Sequence, residues 1–333
     1  MNRSEEPIAD LVARRNAEKC LFTAGPASLL AENLTGLRPC FGRGDADYTA
    51  VETKVLDALK ALSGHRDIAR LQGSASLALE IAMLNFVSGR ILIVSSGYYS
   101  DRLQSMAEAA QRQTGRITQI NTIAWNRLPD LNEGFDWLLA CYTETSVGLR
   151  LPMEQLLAAK QHAGARMLLD ATASIGLETG HEHADVIAYS SCKGLFGLTG
   201  AAFIAFNERP DYTPDSFYLN LDNHLERRMT GPYHAIASLA DVLPRHADFR
   251  AAVMQNKAAF MDRMRPYLTR PDDQQPALCT QVSATITSTD PRAILYAPRG
   301  NQGGSVVCHL GEAHLGTAAR GDILNLLECN PTP

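Results

Sequence analysis

The chain has 333 residues, of which 45% are hydrophobic and 20% charged. That is an ordinary globular balance, with length enough to bury a large core without staples. Its 31 basic and 36 acidic side chains leave a net charge of −5, so the basic excess that nucleic-acid binding requires is missing.

Residues 1–20 read as an N-terminal segment. The start MNRSEEPIAD has no apolar stretch of the kind a secretory signal needs. No apolar run reaches the roughly 18 residues that cross a bilayer, so no membrane contact is expected. The seven cysteines are scattered and include no C-x-x-C pair. They read as reduced cytosolic thiols, which points to the cytoplasm and to neither a disulfide frame nor a zinc site.

From residue 21 to 245 the chain alternates helical and strand-like runs. The expected helices are Val51–Leu62, Ser76–Val87, Asp101–Thr114, Pro152–Ala163 and His234–Leu243. The expected strands are Ile91–Val94, Trp137–Ala140, Met167–Leu169, Val186–Tyr189 and Ala201–Phe206. This alternation is the mark of an α/β domain. The strands are apolar throughout, as in a mostly parallel sheet covered on both faces. Ligands of such sheets bind beyond the carboxyl ends of the strands. From 246 to 333 the pattern changes. A helix over Ala247–Leu268 leads to the polar break RPDDQQ, then to strand-like Gln281–Ser288 and Ala293–Ala297. A glycine-rich turn, strand Ser305–Leu310 and helix Thr317–Glu328 follow, giving a small α+β C-terminal domain.

Polar residues cluster where these strands end. Asp170 ends the MLL strand in DATASIG, and Lys193 follows VIAY in SSCKGLFGLTG. Tyr98 and Tyr99 follow ILIV in SSGYYSDR; Glu144, Thr145 and Ser146 follow WLLA in CYTETSVG. Gly73 to Ser76 open a helix in QGSASLALEIA. Each alone reads more readily as a cap or a solvated loop than as a catalyst, but all would meet on one edge of the sheet. Pyridoxal phosphate chemistry needs such a set. It uses a lysine for the Schiff base, an aspartate for the pyridine nitrogen, and an aromatic ring for stacking. A helix N-terminus holds the phosphate.

In these motifs the chain resembles the class V aminotransferases of the fold-type-I pyridoxal phosphate enzymes. It is most similar to the 2-aminoethylphosphonate–pyruvate and alanine–glyoxylate branches. The resemblance implies a large, mostly parallel sheet of the seven-stranded type and a shortened α+β C-terminal domain. GPAS resembles the family's G-P-x-x motif beside the substrate, which implicates Gly25. QGSASLALE resembles the phosphate loop and implies Ser74, Ala75 and Ser76 as its contacts. SSGYYSDR implies Tyr99 as the stacking ring, and YTETSVG implies Thr145 near the phenolic oxygen. DATASIG implies Asp170 at the pyridine nitrogen and Thr172 on the ring's other face. SSCKGL implies Lys193 as the Schiff-base lysine and Ser191 as a phosphate contact. The Ser216–Leu239 segment resembles one that reaches a neighbouring subunit's phosphate, so Thr230 and Gly231 would serve the partner's site in a homodimer.

Departures from the pattern bear on the substrate. Cys192 stands where the family has glutamine, and Ala75 where it has glycine. Only 65 residues follow Leu268. The family motif R-I-G-N-I-G aligns with HLGEAH, so His309 takes the position of the carboxylate-binding arginine. Arg43, in the turn-rich GRGDAD, reads either as a loop residue or as a cation aimed at an anionic substrate group; Arg299 is a further candidate. His181, Glu182 and His183 match no metal-ligand spacing, and no metal is expected. The expected activity is amino transfer between a small amine (2-aminoethylphosphonate or another ω-amine) and a small keto acid. The alternatives are a pyridoxal phosphate lyase or elimination enzyme, and a low-activity binding protein of the same fold.

Overall fold

Both faces of one large sheet are buried, and this sets the architecture. A computed structural model describes residues 6–37, 42, 44–300, 303–311, 313 and 323–330. Its main sheet has seven strands: β1 (Asp67–Gln72), β2 (Gly89–Ser95), β3 (Ile117–Ala124), β4 (Trp137–Cys141), β5 (Arg166–Asp170), β6 (Val186–Ser190) and β7 (Ala201–Phe206). The spatial order is β1-β7-β6-β5-β4-β2-β3. Neighbours are parallel except β7, which runs antiparallel to both β1 and β6.

Successive strand residues enter opposite cores, as the two-residue period requires. Leu92, Leu138, Met167 and Ile187 face one cluster with Val55 and Leu59 of the helix Ala46–Ser63 and Leu156 of the helix Met153–Ala163. Ile91, Leu139, Leu168 and Ala188 face the other, with Leu79 of the helix Ala75–Phe86 and Leu103 of the helix Tyr98–Thr114. The absence of polar alternation in these strands is thereby explained.

Two strands of this sheet are not apparent from the sequence. β1 reads DIARLQ and carries a charged residue that is buried, Arg70. β3 lies at the sheet edge and exposes Thr118, Gln119, Thr122 and Ala124. The helix expected over His234–Leu243 is two short helices, Tyr233–Ala237 and Leu239–Val242. At the join, Ser238 Oγ donates to the Ala235 carbonyl at 2.8 Å, a back-bond that bends helices.

In the C-terminal part, the helix His246–Met264 packs against the strand Cys279–Val282, which pairs antiparallel with Ser305–Cys308. The strand-like run Gln281–Ser288 divides into Cys279–Val282 and Thr285–Thr287. The helix expected over Thr317–Glu328 does not end as predicted: Glu328–Asn330 is a strand paired antiparallel with Thr285–Thr287. Residues 317–322 of that prediction lie outside the described residues. The N-terminal strand Cys20–Phe22 pairs with Ala293–Leu295, so the start of the chain is tied to its last third.

Glu52 is the most completely enclosed carboxylate in the Ala46–Ser63 helix, 1% exposed. It accepts from Arg70 Nε of β1 and from Tyr48 Oη, and it pairs with Arg227 Nη2 at 2.7 Å. Glu52→Gln leaves the buried Arg70 guanidinium without its counter-charge. We expect a loss of about 3 kcal/mol, read as a lowered denaturant midpoint. An unchanged midpoint would contradict the role given to this pair.

Candidate active site

The parallel strands all point their carboxyl ends to the same edge, and β1 shares their direction. The loops after β1, β2, β4, β5 and β6 therefore meet there and line a cleft of about 350 Å³, within the range of small-molecule sites. It is lined by Gly25, Ser74, Ala75, Ser76, Tyr99, Thr145, Asp170, Thr172 and Lys193 of the sequence-expected residues.

Asp170 ends β5 and is 2% exposed. Its Oδ1 accepts from Thr172 N at 2.9 Å, and its Oδ2 accepts from Arg102 Nη2 at 3.1 Å. A carboxylate offers about four lone-pair sites, so acceptor capacity remains on the cleft side. Lys193 is half-buried, with Nζ 5.9 Å from the Tyr99 ring centroid. Its stem lies against Gly25: a Cβ there would stand 3.0 Å from Lys193 Cγ, and Gly25 has φ +123°. Ala27 N donates to the Cys192 carbonyl at 2.8 Å. The GPAS turn and the lysine loop are thus fastened together, which explains why glycine is required in that turn.

Tyr99 is placed by a cap. Its N–H and that of Ser100 donate to Glu144 Oε2 at 3.0 and 3.1 Å, and Tyr98 N donates to Ser146 Oγ at 3.2 Å. The TETS string therefore closes the head of the Tyr98–Thr114 helix, where anionic groups are favoured. Gly97, at φ +153°, lets the chain approach; a Cβ would meet Glu144 Cγ at 2.8 Å. Burial raises the Glu144 pKa above the ordinary carboxylate value, while its hydrogen bonds to Ser146, Ser100 and Tyr99 oppose the shift.

The Ala75–Phe86 helix opens at Ser74, whose side chain makes no capping bond. The first N–H groups of a helix lack internal acceptors, and here they face the cleft with Ser76. Arg102 was missed by the sequence reading, although it stands in the quoted SSGYYSDR motif. Its Nη1 donates to Ser76 Oγ at 3.2 Å, and its guanidinium lies 4.9 Å from the Tyr99 ring centroid. It joins Asp170, Ser76 and Tyr99. The Thr143 and Thr172 hydroxyl oxygens and Arg102 Nε are buried without a hydrogen-bond partner among the described residues. Unsatisfied buried polar atoms are uncommon. A polar ring bearing a phosphate fits them, with the helix head as the phosphate seat.

Two expectations need correction, those for Ser191 and His309. Ser191 does not line the cleft. Its hydroxyl is turned into its own loop, within reach of the Leu198 and Ala201 carbonyl oxygens, and Ser190 lines the cleft instead. His309 is enclosed in the C-terminal core, 3% exposed, with Nε2 3.0 Å from Thr280 Oγ1 and its ring beside Phe260. Burial, aided by Lys257, pushes its pKa down to about 3. A neutral, enclosed imidazole is not a carboxylate receptor. Thr230 and Gly231, expected at a partner's site, lie outside this chain's cleft; Thr230 is exposed, and Gly231 sits against the Arg70 guanidinium. Arg43 lies outside the described residues.

No family model matches the chain. It is 25% identical over 252 residues to the 2-aminoethylphosphonate–pyruvate transaminase of Pseudomonas aeruginosa (strain UCBPP-PA14), covering 68% of each chain. It is 26% identical over 253 residues to the same-named protein of Pseudomonas entomophila (strain L48), covering 67% of each. Among solved structures it is similar to an alanine–glyoxylate aminotransferase from Nostoc sp., at a TM-score of 0.76 and 18% identity over 92% of this chain and 93% of that one. The corresponding values for a subgroup IV aspartate aminotransferase from Thermus thermophilus are 0.74, 23%, 92% and 96%. In topology the chain has the fold of these aminotransferases, and over two thirds of its length its sequence is similar to 2-aminoethylphosphonate–pyruvate transaminases.

Proposed function

We propose that the chain is a pyridoxal phosphate-dependent aminotransferase acting between a small amine without a carboxylate beside the amino group and a small keto acid. The observation that carries this reading is the meeting of Asp170, Lys193, Tyr99 and the Ala75–Phe86 helix head in one cleft. Aminotransferases of this fold use pyridoxal phosphate. When bound, that group supplies an aldehyde that condenses with amines and a ring that accepts the electrons left when a carbon loses its proton.

The chain's own residues supply the rest. Lys193 Nζ would carry the aldehyde and then take and return the proton. The Asp170 carboxylate would hold the proton at the pyridine nitrogen. Tyr99 offers the stacking face, and the N–H groups at Ala75 and Ser76 offer donors to phosphate. Thr143, Thr145 and Thr172 supply hydroxyls around the ring. The enclosed His309 supports a donor such as 2-aminoethylphosphonate or another ω-amine, because the position that would grip an α-carboxylate is closed.

Thr230 and Gly231 support a homodimer with shared sites. They stand on a loop held by the Glu52–Arg70–Arg227 pairing and do not line this chain's cleft. Nearby, Phe217 and Tyr218 are 63% and 46% exposed; large exposed aromatics are enriched at interfaces.

The test is an amine screen on the loaded protein, following its visible absorbance band and the keto product. An ω-amine should bleach the band, and a keto acid should restore it. Lys193→Ala should fold yet lose borohydride-stable attachment of the cofactor; attachment found on another lysine would refute the assignment. Asp170→Asn should slow amine consumption by about 10²–10⁴-fold without loss of fold, and near wild-type turnover would exclude the role. Thr230→Ala should weaken cofactor retention in a dimer, whereas a fully active monomer in solution would rule out shared sites.

A further inference from the structure

Arg102, Lys193 and Arg299 are the side-chain cations that line the cleft among the described residues, against the single carboxylate of Asp170. Two of them are committed. Arg102 is bonded to Asp170 and Ser76, and Lys193 lies on the floor against Gly25. Arg299 is exposed at the rim, just before Gly300. Its Nη1 donates to Tyr98 Oη at 3.3 Å, and its guanidinium lies 5.3 Å from the Tyr98 ring centroid. Among the described residues its neighbours are phenols, those of Tyr98, Tyr99 and Tyr296, and no carboxylate pairs with it. A guanidinium carries five N–H donors. Most of the Arg299 fork is therefore open to an oxyanion.

The fork is also steadied. Stacking and a hydrogen bond hold it to Tyr98, and Tyr98 packs edge-on against Tyr99 with ring centroids 5.3 Å apart. Both tyrosines stand at the helix head capped by Glu144 and Ser146. Lys193 Nζ lies 5.9 Å from the centroid of the same Tyr99 ring. The reacting amine and the open guanidinium thus line one cleft, each beside a member of the Tyr98–Tyr99 pair.

We propose that Arg299, steadied by Tyr98, is the receptor for the substrate's anionic group, and that the substrate carries this group at the end remote from its reacting amine. The proposal deepens the aminotransferase reading and rests on it. The ligand chemistry is an oxyanion, phosphonate or carboxylate, received by a guanidinium fork. His309 cannot serve in its place, being neutral and enclosed. Because Arg299 is exposed, salt should screen the attraction, so the Michaelis constant for an anionic amine should rise with ionic strength.

The test compares wild type, Arg299→Gln and Arg299→Lys in the cofactor-loaded protein. The substrates are 2-aminoethylphosphonate, β-alanine and uncharged propylamine. Calorimetry measures binding of unreactive ethylphosphonate and propanoate in parallel. In Arg299→Gln the Michaelis constants of the anionic amines should rise roughly ten- to a hundredfold, with little change in kcat. Propylamine should be unaffected, Arg299→Lys should recover part of the loss, and the unreactive anions should weaken by the same factor. The larger loss on the phosphonate or on the carboxylate identifies which oxyanion the fork suits. Equal losses for propylamine and the anionic amines, or unchanged anion binding, would overturn the proposal. Should wild type turn over no amine at all, the aminotransferase reading fails. The calorimetric arm then decides alone: weakened anion binding in Arg299→Gln supports the receptor, and unchanged binding refutes it.

Discussion

The buried carboxylate of Asp170 is the constraint around which the cleft is organised. A carboxylate 2% exposed at the end of an apolar strand is tolerable only when donors surround it. The turn after β5 supplies one, Thr172 N, and the Tyr98–Thr114 helix supplies another, Arg102. Arg102 in turn reaches Ser76 at the head of the next helix and underlies Tyr99. One buried charge therefore draws three loops, from β1, β2 and β5, into fixed relation. The lysine loop after β6 is fastened separately, through Gly25 and the Ala27–Cys192 hydrogen bond.

The same logic recurs one layer out. Glu144 is wholly buried and spends its acceptors on the backbone of the helix that carries Tyr99 and Arg102. Neither it nor Ser146 lines the cleft. Their effect is to fix where two lining side chains stand, which is how a site is kept to its working geometry. Outside the cleft, Glu52 and Arg70 lock the edge strand to the loop bearing Thr230 and Gly231.

What the sequence made legible follows from these physical causes. Strands β2 and β4 to β7 were readable because burial on both faces leaves them apolar. β1 was not, since Arg70 is compatible with burial only through Glu52, a partner 18 residues away. The lysine, the aspartate and the tyrosine were readable as polar residues stranded at apolar strand ends. Arg102 and Glu144 were in view, but their roles depend on which groups they meet across the sheet edge. Ser190 and Ser191 could not be told apart by spacing, because one rotation of the chain decides which hydroxyl faces the cleft. His309 shows the limit of alignment: its position in the chain is right for a substrate residue, while its ring is closed into a core formed with Phe260 and Thr280.

On the proposed reading, this cleft seats pyridoxal phosphate between Asp170 and Lys193. The most direct measurement is a crystal structure of the protein grown with the cofactor. The expected result is density continuous with Lys193 Nζ, with the pyridine nitrogen at Asp170, the ring against Tyr99 and the phosphate at Ser74–Ser76. Arg102 should be shifted or shared to admit the ring. A cofactor bound elsewhere, or one whose ring nitrogen faces away from Asp170, would contradict it.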